Sequence, residues 1–235
     1  MNRIRLLPLA LVPMVLSTAA VPLPGPALVP ISTTLRDRII AEASALPPER
    51  LAFERASSAV RTGGGTTSTT RLTERWNGKA WSLVSIHDRA PSATQRRDHK
   101  RLMQAIPVPG YYQLGPIVAA ATGSSSDAQG RTLLTVPVMP AGSVHTDNGD
   151  ISSHLKGEAR LVRRGDAIWV DQLKVTAREA FKMNMLIRVI GFEQTSEYTP
   201  GTDGKPRLTS QTSHSTGTMF GFPGGEKAQA SFVYR

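Results

Sequence analysis

The sequence predicts an α+β protein built on one large, curved antiparallel sheet. From Arg131 to the end, runs of alternating polar and apolar residues are separated by short turns rich in Gly and Asp, as is typical of antiparallel strands. Earlier in the chain, two segments with helical spacing follow a shorter group of strands. Long strands joined by tight turns make a large sheet, and we expect the helical segments to pack on it.

The chain begins with the features of a secretory signal peptide. Arg3 and Arg5 form a positive head, residues 6–16 are apolar and uncharged, and small residues end the segment at Ala20. The apolar run is shorter than the roughly 20 residues that span a bilayer. We therefore predict cleavage after residues 1–20 and a periplasmic or secreted protein. An uncleaved N-terminal anchor is the alternative.

Composition limits the classes of protein and partner that need considering. Residues 21–33 include four prolines and are predicted to form a tether, which leaves residues 34–235 as a single domain. Cysteine is absent, so disulfides, thiol catalysis and cysteine-based metal sites are excluded. The formal net charge is +10. In an exported protein this charge favours an anionic envelope surface over nucleic acid as partner, the alternative being a merely solubilising surface. No oligomeric state is predicted.

The first elements are a helix and three strands. Leu35, Ile39 and Ala43 lie at helical spacing, which predicts a helix over 34–46 with Thr34 as its cap. Turn residues then separate three segments with strand propensity, at 51–62, 66–76 and 79–87.

A helical insertion follows this group of strands. Ser92 and Gln95 have the spacing of a capping box, so a helix is predicted from there to about Ala105. A second, apolar helical segment is predicted over 111–121, broken at Gly115 and Pro116, and an exposed loop over 123–130.

The remaining chain is predicted to be antiparallel sheet. The candidate strands cover 131–139, 155–163, 167–179, 181–198, 207–220 and 227–234. Turns are predicted at 164–166, 202–204 and 223–225.

One stripe of side chains is a candidate site for an apolar ligand. In a continuous strand over 181–198, Met183, Met185 and Ile187 would point to the same face of the sheet. The apolar segment at 111–121 would cover them with the side chains of Tyr111, Leu114 and Val118. A hollow between these two groups could bind acyl chains, because methionine is flexible and polarisable. The alternative is an ordinary filled core.

The densest basic cluster is a candidate anion-binding site. It lies on the predicted helix that begins near Ser92 and consists of Arg96, Arg97, Lys100 and Arg101. It would bind an anionic headgroup or an acidic partner. The alternative is a solvated helix face.

No catalytic or metal-binding pattern is found. The five histidines have no close ligand spacing, G-x-S-x-G is absent, and no carboxylate pair has a spacing that indicates acid/base chemistry. The sequence therefore predicts no enzyme, no cofactor and no metal.

The predicted elements follow in this order: an export signal, a helix, a strand meander, a helical insertion and a long terminal meander ending at 228–234. This arrangement resembles the LolA/LolB-like lipoprotein carriers of the periplasm. The segments WSLVSIHDRAPSATQ and ASFVYR also look like exported bacterial proteins of this build. The resemblance covers 34–235 and implies a half-barrel with lipid or acyl chains in its hollow, but it carries over no binding residue. Two hypotheses follow: a non-enzymatic carrier of lipid or another apolar molecule, or a protein- or polymer-interaction module of the envelope without a small-molecule ligand.

Overall fold

Three helices belong to the part of the chain described by the computed structural model, which covers residues 28–104, 106–146 and 149–235. They are α1 (Thr33–Ser44), α2 (Ala93–Met103) and α3 (Leu114–Ala119), and a 3-10 turn at Tyr111–Gln113 leads into α3. The predicted signal peptide, the first half of the tether and Ala105 lie outside the described residues. No helix within the described ranges is long and apolar enough to cross a membrane.

Most of the described chain is β structure. Its strands are β1 (Phe53–Gly63), β2 (Thr66–Trp76), β3 (Trp81–Ile86), β4 (Gly123–Ser126), β5 (Thr132–Val136), β6 (His145–Thr146), β7 (Gly149–Asp150), β8 (Leu155–Arg164), β9 (Ala167–Ala177), β10 (Phe181–Lys182), β11 (Ile187–Pro200), β12 (Pro206–Met219) and β13 (Phe222–Tyr234).

An antiparallel sheet unites all of these strands except the small β6–β7 pair, giving eleven strands in the described residues. The order is β3-β2-β1-β13-β12-β11-β9-β8-β5-β4, and β10 pairs with β11 beside this path. The sheet does not close, because β3 and β4 form its two separate edges. The register shifts at four places, including Val189/Gly191 and Glu197/Tyr198, and irregularities of this kind bend strands. The predicted α+β class with a large antiparallel sheet is confirmed.

The helices pack against one face of this sheet, called here the inner face. Phe53 on β1, Leu173 and Val175 on β9 and Leu208 on β12 belong to this face, and they form one cluster with apolar side chains of α1 and α3. Helix α1 presents Ile39 and Ala43, both fully buried, and α3 presents Leu114, Ile117 and Val118. The core is therefore a layer of helices on one side of an open sheet.

Several predicted elements are confirmed in the first half of the chain. Helix α1 and the meander β1–β3 lie where they were expected, and the capping box forms: the Gln95 N–H donates to Ser92 Oγ (3.2 Å) and the Ser92 N–H to Gln95 Oε1 (2.8 Å). Thr34 is not a cap, because α1 begins one residue earlier, after Ser32, without a side-chain cap.

Ser92→Ala is expected to lower the free energy of unfolding by about 1 kcal/mol, because the Gln95 N–H at the start of α2 loses its partner, the Ser92 hydroxyl. Urea denaturation measures the change. Thr94→Ala, at a neighbouring exposed position in the same helix turn, is the control and should be nearly neutral. Equal losses for the two variants would show that the capping box contributes nothing.

Three other local predictions are wrong. Helix α3 runs through Gly115 and Pro116, since proline at the third helical position lies in the first turn, where a backbone N–H has no intrahelical partner. The loop predicted over 123–130 begins with a strand, because β4 pairs with β5 from Gly123 onwards. The turn predicted at 223–225 belongs to β13, where Gly224 lies so close to β1 that a Cβ would be 2.6 Å from the Thr62 carbonyl oxygen.

The N-terminal segment covers the edge strand β4. Val29 and Ser124 exchange two backbone hydrogen bonds, of 2.7 and 2.8 Å, as an isolated antiparallel bridge. Leu28 lies over Gly123, where an added Cβ would come within 3.1 Å of the leucine Cβ. The last residues of the predicted tether are thus attached to the sheet.

Candidate functional site

The side chains predicted to cover an apolar hollow are packed inside the core. Leu114 and Val118 are 0% exposed and Tyr111 is 2% exposed. The Val170 N–H donates a 3.0 Å hydrogen bond to Tyr111 Oη, and the Tyr111 ring packs edge-on against Tyr198 at 5.4 Å. Burial raises the pKa of both phenols, so both stay neutral hydroxyls at physiological pH. These residues hold α3 against the sheet.

The stripe of Met183, Met185 and Ile187 does not form on one face. The predicted strand over 181–198 is interrupted by a tight turn between β10 and β11, where Asn184 Oδ1 accepts hydrogen bonds from the Leu186 and Ile187 N–H groups. Met183 packs against the edge of the core, whereas Met185 is 98% exposed at the tip of the turn. The structure brings none of the three into a shared hollow with Tyr111, Leu114 and Val118.

Two open depressions lie instead mainly on the outer face of the sheet, opposite the helices. Each has a volume of about 430 Å³, and Ser58, Gln229 and Thr212 line both. These three residues lie side by side across β1, β13 and β12. Their hydroxyl and amide groups make this region a surface for polar contacts.

The basic cluster of α2 faces solvent. Arg96, Arg97, Lys100 and Arg101 are all exposed, and Arg101 makes a loose ion pair with Asp98 at 3.7 Å. The structure therefore places the four predicted anion-binding residues on one accessible helix, and their role as an anion site stays a prediction.

A buried ionic cluster attaches α2 to the sheet. Glu74 on β2 is 1% exposed; its Oε2 accepts from Arg55 Nε at 2.7 Å, and its Oε1 lies 2.6 Å from His99 Nε2. The Arg55 guanidinium also stacks on the Trp81 ring, at 4.7 Å from the ring centroid. Met103 is the one buried residue among the described residues of α2, so the helix has little apolar contact with the rest of the protein. The contact between His99 and Glu74 therefore supplies much of its attachment to the sheet.

The sequence contains a signal for this buried cluster, which the search for apolar periodicity missed. Glu74 alternates with Leu72 and Trp76 in a strand, which predicts a carboxylate on the inner face. A buried carboxylate requires a cationic partner. Arg55 is its direct neighbour in the β1–β2 register, but His99 comes from a helix whose docking no local pattern predicts.

Exposed apolar side chains gather at the ends of two neighbouring hairpins, and we call this set the apolar tip. The β10–β11 and β12–β13 turns touch through a 2.9 Å hydrogen bond from the Phe220 N–H to the Leu186 carbonyl. Phe220 and Phe222 are 64% and 65% exposed. The whole set is Met185, Leu186, Met219, Phe220 and Phe222.

The described residues contain no grouping of three or more His, Asp or Glu side chains that could hold a metal ion. His154 illustrates the structural use of a histidine here: its ring stacks on Phe181 with centroids 4.3 Å apart.

Comparisons with known proteins identify no family for this chain. No family model and no curated protein matches the chain. Among solved structures, the chain is similar to a LolA superfamily protein from Nitrosomonas europaea, at 10% sequence identity over 84% of this chain and 91% of that chain, with a TM-score of 0.23. At this identity and TM-score, the likeness assigns neither a ligand nor a function to this chain.

Proposed function

We propose that this protein is a non-enzymatic, exported interaction protein of the cell envelope that binds a partner through its surface and carries no small molecule inside. The observation that carries the proposal is the packing of α3. Leu114, Val118 and Tyr111, which would cover the hollow of a carrier, are buried against α1 and the inner face of the sheet.

The surface supports the same proposal. The depressions lined by Ser58, Gln229 and Thr212 are open to solvent, which suits a partner that contacts the sheet from outside better than an acyl chain enclosed within it. The full chain has a net charge of +10, and without Arg3 and Arg5 of the predicted signal peptide the charge is +8. This positive charge favours attraction of the protein to an anionic component of the envelope.

Native mass spectrometry of protein purified gently from its host's envelope tests the proposal. We expect the mass of the processed polypeptide alone, and we expect this ligand-free protein to bind again to washed envelope fragments. A stoichiometric lipid or other apolar molecule in the spectrum would contradict the proposal and support the carrier hypothesis. Failure of the ligand-free protein to bind the fragments would contradict it as well.

Met185→Asp provides a second, simple check. In a hollow or a core this change would bury an unpaired charge and destabilise the fold. Because Met185 is 98% exposed in a turn, we expect the free energy of unfolding of the variant to stay within about 0.5 kcal/mol of the wild-type value in urea denaturation. A loss of several kcal/mol would contradict the described turn.

A further inference from the structure

We infer that the apolar tip inserts into the interface of an anionic phospholipid bilayer. This inference rests on the proposed function, because it names the partner of one part of the surface. Four features of the apolar tip support it: the position of the tip, the strain in its turn, the charges beside it and its small width.

The apolar side chains of the tip lie outside the core of the protein. Met185, Phe220 and Phe222 project from the ends of hairpins beyond the core, and each exposes more than half of its surface to solvent. Single exposed apolar residues are normal on protein surfaces, but a contiguous group at neighbouring loop ends marks an interaction site.

The turn between β12 and β13 contains an aromatic residue in a strained backbone conformation. Phe220 and Gly221 both have positive φ, of 52° and 81°, as in the two-residue hairpin turn that normally takes Asn followed by Gly. A bulky residue at positive φ is uncommon and costs free energy. An exposed, strained phenylalanine is unfavourable for folding on both counts, which points to a role in binding.

The charges next to the tip are cationic. Lys182 on β10 and Arg188 on β11 are direct neighbours in the strand register, and both are exposed. Two carboxylates further along β11 and β13, Glu193 and Glu226, are engaged with Lys174 and Arg61, at 3.0 and 2.6 Å. Exposed cations beside projecting apolar groups are complementary to a bilayer whose headgroups are negative.

The width of the tip favours a membrane over a second copy of the chain. It spans the ends of β10, β11, β12 and β13, roughly 15 Å at the usual spacing of strands. A stable protein–protein interface needs about 20–30 residues on each side, whereas insertion of a few side chains to the level of the acyl chains needs only projecting ends.

Vesicle co-sedimentation of the full mature chain tests the inference. We expect the protein to sediment with vesicles of phosphatidylcholine and phosphatidylglycerol, less with pure phosphatidylcholine, and less as salt is raised. No sedimentation with the anionic vesicles, or equal binding to both kinds, would overturn the inference.

The decisive variant is Phe220→Asn combined with Phe222→Ser. Asparagine accepts positive φ, so the turn should lose strain and the midpoint of thermal unfolding should stay unchanged or rise. Binding to anionic vesicles should fall at least about tenfold, because the loss of one inserted aromatic side chain is worth about that factor. Unchanged binding by this folded variant would overturn the inference.

Val233→Ser is the matched control. Val233 is as exposed as Phe222, at 65%, and lies on the same strand but at its other end. It should leave vesicle binding unchanged, and an equal loss in this variant would overturn the inference. A concentration-dependent dimer that the tip variant abolishes, without vesicle binding by the wild type, would assign the tip to a second copy instead. A lipid enclosed in the protein, detected by native mass spectrometry, would overturn the proposed function separately, since it concerns the interior and not the tip.

Discussion

Glu74→Ala is expected to lower the free energy of unfolding by about 3–5 kcal/mol, which would be among the largest losses that a single substitution can cause here. Glu74 is almost completely buried, and it faces the Arg55 guanidinium at 2.7 Å and the His99 ring at 2.6 Å. Removing the carboxylate leaves a largely desolvated guanidinium without a counter-charge and frees α2 from the sheet. Urea denaturation followed by circular dichroism measures the loss.

Glu226→Ala is the control for this prediction, because Glu226 forms an equally short ion pair, with Arg61 at 2.6 Å, but on the surface. It should cost no more than about 1 kcal/mol. Replacing both buried partners, with Arg55→Met and Glu74→Leu, should recover part of the stability lost in Glu74→Ala, since neither charge then remains buried. Equal effects of Glu74→Ala and Glu226→Ala would show that the buried cluster does not stabilise the fold.

Leu114→Ala is expected to cost about 2–5 kcal/mol. Its side chain is fully buried where α3 packs on α1 and the sheet, so truncation removes dispersion contacts and leaves a cavity. Leu102→Ala is a chemically identical control, because Leu102 is 61% exposed on α2. It should change the free energy of unfolding by less than about 0.5 kcal/mol.

This pair of leucine variants also distinguishes a filled core from a hollow. In a hollow, shortening Leu114 would only enlarge a space that is already empty. The free energy of unfolding would then fall by no more than the transfer free energy of the removed atoms, at the lower end of the expected range. A loss close to that of Leu102→Ala would contradict the packing described for α3.

The sequence was sufficient for the elements whose signal is local. The capping box of α2 depends only on Ser92 and Gln95, which are three residues apart, and both side chains make the expected bonds. The tight meander β1–β3 likewise follows from strand propensity and from glycine between the strands. In each case the residues that decide the structure are close in the chain.

The methionine stripe predicted for the candidate site does not form, because the short apolar run that contains it had two interpretations. Residues 183–187 alternate correctly for a strand, yet Asn184 makes a turn there by accepting two backbone hydrogen bonds. Periodicity cannot distinguish a strand from a strand–turn–strand of the same composition. Tyr111, Leu114 and Val118 form an apolar group in the sequence. Whether they line a hollow or fill a core depends on how closely α3 approaches α1, a distance between elements far apart in the chain.

The bridge between Val29 and Ser124 gives the segment after the predicted signal peptide a protective role. An edge strand with free N–H and C=O groups is a template on which other chains can add strands. Here the chain's own N-terminal residues occupy that template on β4. We expect that removal of residues 28–30 would uncover this part of the β4 edge and favour association of chains edge to edge.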